Sequence, residues 1–281
     1  MPVPDFLVIG HLVKDLRSDG WRPGGTVTFA SLLAQRMGLS VGVVTRAGPD
    51  VDCRALLPQA EVICNPSEAT TCFDNRYVNG RRRQWVSMRA AAITPADVPL
   101  AWRAARIVLL GPVCGEVSSD LIELFPGSLV GASAQGWLRR LDAQGQVRRQ
   151  RWRGTPFWRG AQVLFVSEED LGRGREDLHR WASEVPIVAF TKGWRGARVF
   201  AAGRWRRLPP FPEEEVDPTG AGDIFAAGFL VRLWETGDIG EAARFGGAAA
   251  SLSVAATGAE GIPTREQIEG RLARYPEVRL R

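Results

Sequence analysis

The chain has 281 residues, of which 45% are hydrophobic and 24% charged, as is ordinary for a globular protein that buries a sizeable core. No apolar run approaches the ~20 residues that span a bilayer. The first five residues lack the basic start and long apolar stretch of a signal peptide. We therefore expect a cytoplasmic protein with no membrane partner, folded as one large α/β domain or two small ones.

The net charge of +5 is carried almost entirely by arginine, since Lys14 and Lys192 are the only lysines. Arginine clusters at 81–83 and 148–149 are compatible with a nucleic-acid partner. However, no helix-turn-helix, zinc-finger or RNA-binding signature accompanies them. The sequence therefore favours a solvated, arginine-rich face and no nucleic-acid partner. The same positive charge could instead attract a small anionic nucleotide.

The cysteines and histidines do not form the pattern of a metal-binding module. The four cysteines, at positions 53, 64, 72 and 114, include no Cys-x-x-Cys pair, and neither histidine (11 or 179) is next to a cysteine. A structural zinc site is therefore not expected. Reduced thiols are the simplest interpretation.

Short β-branched runs alternate with longer helical patterns, which favours βα units and a largely parallel sheet. The predicted strands occupy 6–9, 41–45, 106–110, 128–132, 162–166 and 186–191. The predicted helices occupy 26–37 and parts of 96–105, 118–125, 175–184, 219–234, 238–256 and 264–273. The pattern indicates an α/β fold with a doubly wound, mostly parallel sheet flanked by helices.

Two antiparallel hairpins interrupt this alternation. The first consists of extended runs at 70–78 and 81–88 around Asn79-Gly80. Asn-Gly between two such runs is the strongest short hairpin signal, because both residues tolerate positive φ. The second hairpin spans 198–208 and turns at Ala202-Gly203. The first hairpin would add a small β structure to the α/β core.

The most informative segment is Asp217-Pro218-Thr219-Gly220-Ala221-Gly222-Asp223, which leads into an apolar run. It predicts a tight turn feeding a helix, whose first backbone N–H groups lack partners and lie at the positive end of the helix dipole. Because glycine lets this backbone approach a ligand, the turn is suited to bind an anion. A carboxylate beside that anion suits a base that deprotonates a hydroxyl attacking a bound phosphate. A plain turn with a capping aspartate is the alternative.

Other loops that follow predicted strands carry candidate binding groups. Asp15 lies a few residues beyond the first strand, where a lone aspartate is usually solvated or capping, although a carboxylate also suits hydroxyls because it accepts two hydrogen bonds. Gly24-Gly25 marks a second helix N-terminus, although a loop that simply needs positive φ is the alternative. The loop 191–196 has a threonine hydroxyl and glycine N–H groups that could contact phosphates, and an ordinary glycine loop is the alternative.

In the order of these motifs the chain resembles the ribokinase (PfkB-type) family of carbohydrate kinases. Residues 217–223 match the family signature Asp-Thr/Pro-x-Gly-Ala-Gly-Asp completely, and Gln-Gly-Trp-Leu-Arg at 135–139 resembles the form of inositol-kinase-like members. The resemblance implies a single ribokinase-like α/β domain over 1–281 with a small β lid. The lid strands are expected within about 70–89, with 11–23 as a further candidate. Both a monomer and a homodimer stay open.

The resemblance also implies roles for individual residues. Asp223 is the expected catalytic base, and the backbone of Gly220, Ala221 and Gly222 is the expected anion hole. The acceptor is expected at Asp15, Gly24, Gly25, Asn75, Gln135 and Arg139. The nucleotide is expected at Ser167, Thr191, Gly193, Gly196 and Thr219. Mg²⁺, held through water, is expected at Glu169, Asp170 and Asp217.

One part of the site departs from the family pattern. The family's Asn-x-x-Glu is replaced here by Ser167-Glu168-Glu169-Asp170, whose carboxylates still suit a hydrated Mg²⁺. Acidic residues that complement a helix dipole are the alternative.

These expectations describe an ATP- and Mg²⁺-dependent phosphotransferase that phosphorylates a hydroxyl of a small sugar or cyclitol. A nucleoside or ribose kinase is the alternative within the enzymes. A non-catalytic nucleotide- or sugar-binding sensor is the alternative outside them, suggested by the changed residues at 167 and 170. The intact Asp223 argues for catalysis.

Overall fold

The computed structural model describes residues 1–78, 81–152, 160–172 and 176–281. The predicted turn at Asn79-Gly80 lies outside the described residues. The strands are β1 Phe6–Ile9, β2 Val13–Arg17, β3 Gly20–Gly24, β4 Val41–Ala47, β5 Glu61–Pro66, β6 Thr71–Val78, β7 Arg81–Met88, β8 Ile107–Leu110, β9 Leu129–Ser133, β10 Arg139–Leu141, β11 Val147–Arg149, β12 Val163–Ser167, β13 Ile187–Thr191, β14 Ala197–Ala201 and β15 Arg204–Leu208.

A nine-stranded sheet, in the order β15-β14-β13-β12-β9-β8-β1-β4-β5, forms the centre of the protein. The run from β13 to β5 is parallel throughout, and β14 and β15 add an antiparallel hairpin. The predicted α/β fold class is confirmed. The strand order changes direction between β1 and β8, so their carboxyl ends border the crevice where open α/β sheets bind ligands.

Helices cover both faces of this sheet. The helices are α1 Thr26–Arg36, α2 Cys53–Leu56, α3 Glu168–Leu171, α4 Glu176–Glu184, α5 Ala221–Thr236, α6 Ile239–Ser253 and α7 Arg265–Arg274. Because successive strand residues point to opposite faces, Phe6 and Val8 of β1 pack in one core with α1, α5 and α6. Leu7 and Ile9 pack in the core on the other face. None of the described helices is long and apolar enough to cross a membrane.

The helical patterns predicted at 96–105 and 118–125 form only 3-10 helices. These are Pro95–Asp97, Leu100–Ala104 and Ser119–Leu124. Pro95 and Pro99 lie at the starts of the first two, and Pro126 follows the third. Proline restricts the residue before it, so Pro99 ends the first segment and Pro126 the third, whereas the second ends at Ala105, just before β8.

The longest described helices, α5 and α6, pack closely against each other. Gly228, which interrupts the apolar run after the signature segment, lies at their contact. A Cβ at Gly228 would be 3.2 Å from Gly246 Cα, and a Cβ at Gly246 would be 2.7 Å from Phe225 O. The two glycines therefore let the helix backbones approach, which fixes the position of α5 and of its N-terminus.

A separate four-stranded sheet has the order β3-β2-β6-β7. Both segments predicted as lid strands contribute to this small sheet, since β2 and β3 lie within or next to 11–23 and β6 and β7 within 70–89. β2 and β6 pair in parallel, so the small sheet joins two distant parts of the chain. A hairpin of β10 and β11 borders its β7 edge, where Val86 N donates to Gly145 O at 2.8 Å.

The second predicted hairpin is observed as β14 and β15. Its turn residues, Ala202 and Gly203, both have positive φ, at 50° and 76°. This backbone twist matches the twist of the flanking strands, as in the favoured two-residue hairpin turns.

Candidate active site

The segment 217–223 forms the predicted turn and the N-terminus of α5. Gly220 caps the helix in the left-handed region, with φ of 80°. A Cβ at Gly220 would also lie 2.4 Å from the ring of Phe29. Ala221 N closes the turn on Pro218 O at 3.2 Å, so the donors left in the first turn are the N–H groups of Gly222 and Asp223. Glycine at 220 is therefore required by conformation and by space, and it fixes these donors.

Asp223 lies in the first turn of α5, and its Oδ1 accepts a hydrogen bond from Thr26 Oγ1 at 2.7 Å. Burial raises the pKa of the Asp223 carboxyl to about 6, since desolvation disfavours its charged form. The hydrogen bond from Thr26 and the guanidinium of Arg139 lower this pKa, whereas the carboxylates of Asp170 and Asp15 raise it. A carboxyl that ionises just below neutral pH is well matched to proton transfer at pH 7.

Thr26, the first residue of α1, is a site residue that the sequence did not reveal. Its side chain is buried and directed at Asp223. Gly111, directly after β8, packs against this side chain, where a Cβ would lie 2.3 Å from Thr26 Cγ2 and 2.8 Å from its Oγ1. The only sequence signal is a threonine directly after Gly24-Gly25, a position more typical of a helix start than of a catalytic contact.

Side chains from three strands of the small sheet form a polar chain. Asp15 on β2 is buried, and Asn75 Nδ2 on β6 lies 3.4 Å from its Oδ1. Gln84 Nε2 on β7 donates to Asn75 Oδ1 at 2.9 Å. A Cβ at Gly24 would be 2.1 Å from Asp15 Oδ2, so Gly24 leaves the space that the carboxylate occupies. Gln84 was not predicted, because glutamine on an exposed-looking strand carries no sequence signal.

Arg139 and Asp170 form an ion pair, with Nη2 and Oδ1 3.5 Å apart. Arg139 Nη1 also donates to Val113 O at 3.2 Å. Ser167 caps α3 by accepting a hydrogen bond from Asp170 N at 3.1 Å, and its hydroxyl donates to Asp170 Oδ2. The predicted acceptor contact Arg139 and the predicted metal ligand Asp170 are thus neighbours, and each limits the movement of the other.

A buried polar group supports the loop after β8. His11, Cys114 and Glu116 bring their side chains within 4.8 Å of one another. Glu116 accepts hydrogen bonds from the backbone N–H groups of His11, Val113 and Cys114. Both ring nitrogens of His11 have hydrogen-bond partners as well. The group therefore holds the loop that carries Val113, and its polar atoms are already engaged.

Two cavities meet at the N-terminus of α5. The first has a volume of about 570 Å³ and extends from the small sheet to the loops after β9, β12 and β13. The second has a volume of about 520 Å³, and apolar side chains such as Phe211 and Phe225 line it. Ala221 and Gly222 line both cavities, whereas Asp223 lines the first. The predicted residues that line the first cavity are Asp15, Gly25, Gln135, Arg139, Ser167, Glu169, Asp170, Thr191, Gly193, Thr219, Gly220, Ala221, Gly222 and Asp223.

Four predicted residues lie outside the first cavity. Gly196 lines the second cavity. Gly24 and Asn75 are neighbours of Asp15, which itself lines the first cavity. Asp217 Oδ1 accepts a hydrogen bond from Thr219 N at 3.0 Å, and its Oδ2 lies 3.8 Å from Arg17 Nη2 on β2. Asp217 therefore shapes the turn before α5 and links it to the small sheet.

This arrangement defines a class of enzyme. A doubly wound sheet places its loops at one crevice, a helix N-terminus there is suited to bind an anion, and a carboxylate with a raised pKa lies beside it. These are the parts that a small-molecule kinase needs, because phosphoryl transfer depends on positioning, on stabilisation of phosphate charge and on removal of the acceptor proton.

Comparison with known proteins agrees with this class. The model of the pfkB family carbohydrate kinases matches residues 157–265. Inositol 3-kinase of Zea mays is 36% identical over 297 residues, which cover 94% of this chain and 74% of the maize protein. Inositol 3-kinase of Oryza sativa subsp. japonica is 32% identical over 290 residues, which cover 92% of this chain and 69% of the rice protein.

Among solved structures, a pyrophosphate-dependent kinase in the ribokinase family, complexed with a pyrophosphate analog and myo-inositol, is similar with a TM-score of 0.79. The identity is 23%, over 94% of this chain and 99% of that chain. The chain belongs to the pfkB family of carbohydrate kinases, as an inositol-kinase-like member. The predicted enzyme class and the ribokinase-like fold are confirmed.

Proposed function

We propose that this kinase transfers the γ-phosphoryl group of ATP to a hydroxyl of an inositol-type cyclitol. The observation that carries the proposal is the position of Asp223. The turn before it borders both cavities, but its carboxylate lines the one that the small sheet also borders. A base in this position would contact the hydroxyl of an acceptor in the first cavity, next to the terminal phosphate of a donor bound at the turn.

The proposed reaction uses groups that are already in place. The hydroxyl oxygen of the acceptor attacks the γ-phosphorus, and Asp223 accepts the proton of that hydroxyl. The bond from the γ-phosphorus to the bridging oxygen breaks, and ADP leaves with that oxygen. The N–H groups of Gly222 and Asp223 stabilise the negative charge of the transferred group. Thr26 holds Oδ1 of the base, which leaves Oδ2 for the proton.

The first cavity suits a cyclitol, whose ring has hydroxyls on its edge and C–H groups on its faces. Asp15 offers a carboxylate to adjacent hydroxyls, and Gln84 and Arg139 add polar contacts in the same cavity. Phe73 and Val113 line it as well and suit the C–H faces. The rice and maize relatives are inositol 3-kinases, which supports this acceptor class over a nucleoside.

The second cavity supports a nucleotide donor. Its volume of about 520 Å³ and its apolar residues, among them Pro209, Phe211, Phe225 and Val254, suit a flat purine base. Pyrophosphate has no apolar part that would use such a cavity. Because a similar structure belongs to a pyrophosphate-dependent kinase, the donor is tested directly below.

The residues present fit a Mg²⁺ ion held through water. Glu169 and Asp170 line the first cavity beside the α5 N-terminus, and one or two carboxylates with phosphates and waters are the usual ligands of this ion. Glu169 fits best, since Asp170 is held by Arg139 and Ser167 and Asp217 is held by Arg17 and Thr219. When bound, Mg²⁺ would neutralise part of the phosphate charge.

The first experiment is a matrix of donors and acceptors. ATP and pyrophosphate are each combined with myo-inositol, ribose and cytidine, and the phosphorylated acceptor is detected by phosphorus NMR. We expect a product from ATP with myo-inositol. Product from pyrophosphate alone would contradict the donor, product from cytidine or ribose alone would contradict the acceptor, and ligand binding with no product would favour a sensor.

The second experiment tests the base. Asp223→Asn should bind ATP with unchanged affinity by calorimetry, and its turnover should fall by ~10²- to 10⁴-fold, the usual contribution of a positioned base. The matched control is Asp238→Asn, the same change at the exposed N-cap of α6, where asparagine caps equally well. Wild-type turnover in Asp223→Asn would remove the basis of the proposal.

A further inference from the structure

A buried hydroxyl connects the N-termini of two helices at the centre of the site. Thr26 begins α1 and Asp223 lies in the first turn of α5, 197 residues away in sequence. Their side-chain oxygens are 2.7 Å apart. Thr26 is 2% exposed and Asp223 is partly exposed to the first cavity, and a hydrogen bond to a carboxylate is stronger than one between neutral groups.

The orientation of Thr26 is itself fixed by its neighbours. A Cβ on Gly111 would be 2.3 Å from Thr26 Cγ2, so the threonine methyl group fills the space that a side chain at 111 would need. Gly25, the residue before Thr26, adopts φ of 84°, and a Cβ on it would be 2.4 Å from His11 O. This close approach fixes the position at which α1 begins. The threonine side chain is therefore held by packing, in an orientation in which its hydroxyl donates to Asp223.

We propose that Thr26 is a positioning residue for the phosphotransfer reaction: its hydroxyl holds Asp223 Oδ1 so that Oδ2 is presented to the acceptor hydroxyl. The inference rests on the proposed role of Asp223 as the base. The last torsion of an aspartate is soft, and a carboxylate without this contact would sample many orientations. A base that is misdirected for most of the time slows the chemical step while substrate binding is retained.

The charges that face Asp223 make the same contact important for its ionisation. The guanidinium of Arg139 favours the charged base, and the carboxylates of Asp15 and Asp170 oppose it. Desolvation is the largest effect and raises the pKa, while the hydrogen bond from Thr26 is the first of those that lower it. Removing the hydroxyl therefore raises the pKa of Asp223 further above its ordinary value.

The test is Thr26→Val, which keeps the shape of the side chain and removes the hydroxyl. We expect kcat for ATP and myo-inositol to fall by about 10- to 100-fold, as for the loss of one hydrogen bond to a charged group, with both KM values retained. The acidic limb of the kcat/KM profile should move to higher pH, because the base must be ionised to act. Thr26→Ser, which keeps the hydroxyl, should restore most of the turnover.

The matched control is Ser31→Ala, which removes a buried hydroxyl one turn further along α1. Ser31 Oγ donates to backbone carbonyls of its own helix, so this change should leave kcat and the pH profile as in the wild type. Equal losses in Ser31→Ala and Thr26→Val would overturn the inference, as would wild-type kcat in Thr26→Val or failure of Thr26→Ser to recover.

A measurement without turnover separates this inference from the proposed reaction. The carbon-13 signal of the Asp223 carboxyl, assigned by its loss in Asp223→Asn, is titrated in the unliganded protein. Its pKa should be higher in Thr26→Val than in the wild type, and an unchanged pKa would overturn the contact even if no phosphotransfer were found. Should Thr26→Val not fold, Gly111→Ala displaces the threonine by collision and is expected to shift the titration in the same direction.

Discussion

Substitution of Gly220 by alanine should destabilise the protein and impair catalysis through two separable effects. The first is conformational: at φ of 80°, a residue with a Cβ costs roughly 1–2 kcal/mol. The second is steric, because the new Cβ would lie 2.4 Å from the ring of Phe29, which is buried under the α5 N-terminus. Overpacking of this kind costs about 1–3 kcal/mol.

Together the two effects lower the free energy of unfolding by about 2–5 kcal/mol, which corresponds to a fall in Tm on the order of 4–20 °C for a protein of this size. Scanning calorimetry measures this fall. Because the collision displaces the first turn of α5, kcat should fall as well, since a misplaced donor costs transition-state stabilisation. Turnover is measured by phosphorus NMR with ATP and myo-inositol.

Gly237 provides the matched control at the other end of α5. It has φ of 68°, and a Cβ on it would meet nothing within 4 Å. Gly237→Ala should therefore lose only the conformational part, roughly 1–2 kcal/mol, and should keep its turnover. The reasoning is refuted if the two variants have the same Tm, or if Gly220→Ala retains wild-type turnover.

Two further predictions concern the base and the acceptor side. Burial raises the pKa of Asp223 to about 6, and only the ionised carboxylate accepts a proton. We therefore expect kcat/KM to fall about tenfold per pH unit below pH ~6 and to be level above it until another group titrates. A rate profile that is flat between pH ~5 and ~7 would contradict this expectation. In Gly24→Ala the new Cβ would lie 2.1 Å from Asp15 Oδ2, so the KM for the acceptor should rise by about tenfold or more while the KM for ATP is retained. Steady-state kinetics with each substrate varied in turn measures both KM values. Equal changes in the two values would be evidence against Asp15 as an acceptor contact.

The sequence predicted the strands that are buried on both faces and the two hairpins that have a recognisable turn, and it missed partly exposed strands that have neither feature. β1 and β8 are continuous apolar runs, Phe6–Ile9 and Ile107–Leu110, and they lie at the centre of the sheet. β5, at the sheet edge, contains charged, amide and proline residues, so no apolar run marks it. β2 and β3 were indicated only through the family resemblance, because polar residues and a proline leave them without an apolar run.

The residues of the candidate site also fall into those that the sequence predicted and those that it did not. Asp223 was predicted as the base because a glycine-rich turn before an apolar helix suits an anion and because the segment matches the family signature. Thr26 and Phe29 have no such signal, since each matters only through contact with the start of α5, almost two hundred residues later. Ser167 and Asp170 were noted as departures from the family pattern. Their pairing with each other and with Arg139 depends on loops that the sequence does not position.

The distance in sequence between Thr26 and Asp223 also affects how the protein becomes active during synthesis. The central strand β1 pairs with β4 and β8, but α1 packs against α5, which the ribosome delivers only after all the described strands. Until then, the apolar face that α5 and α6 cover is open, and the loops that would bind phosphate have no base beside them. A nascent chain that lacks α5 is therefore exposed to aggregation, and on the role proposed for Asp223 it also lacks its base.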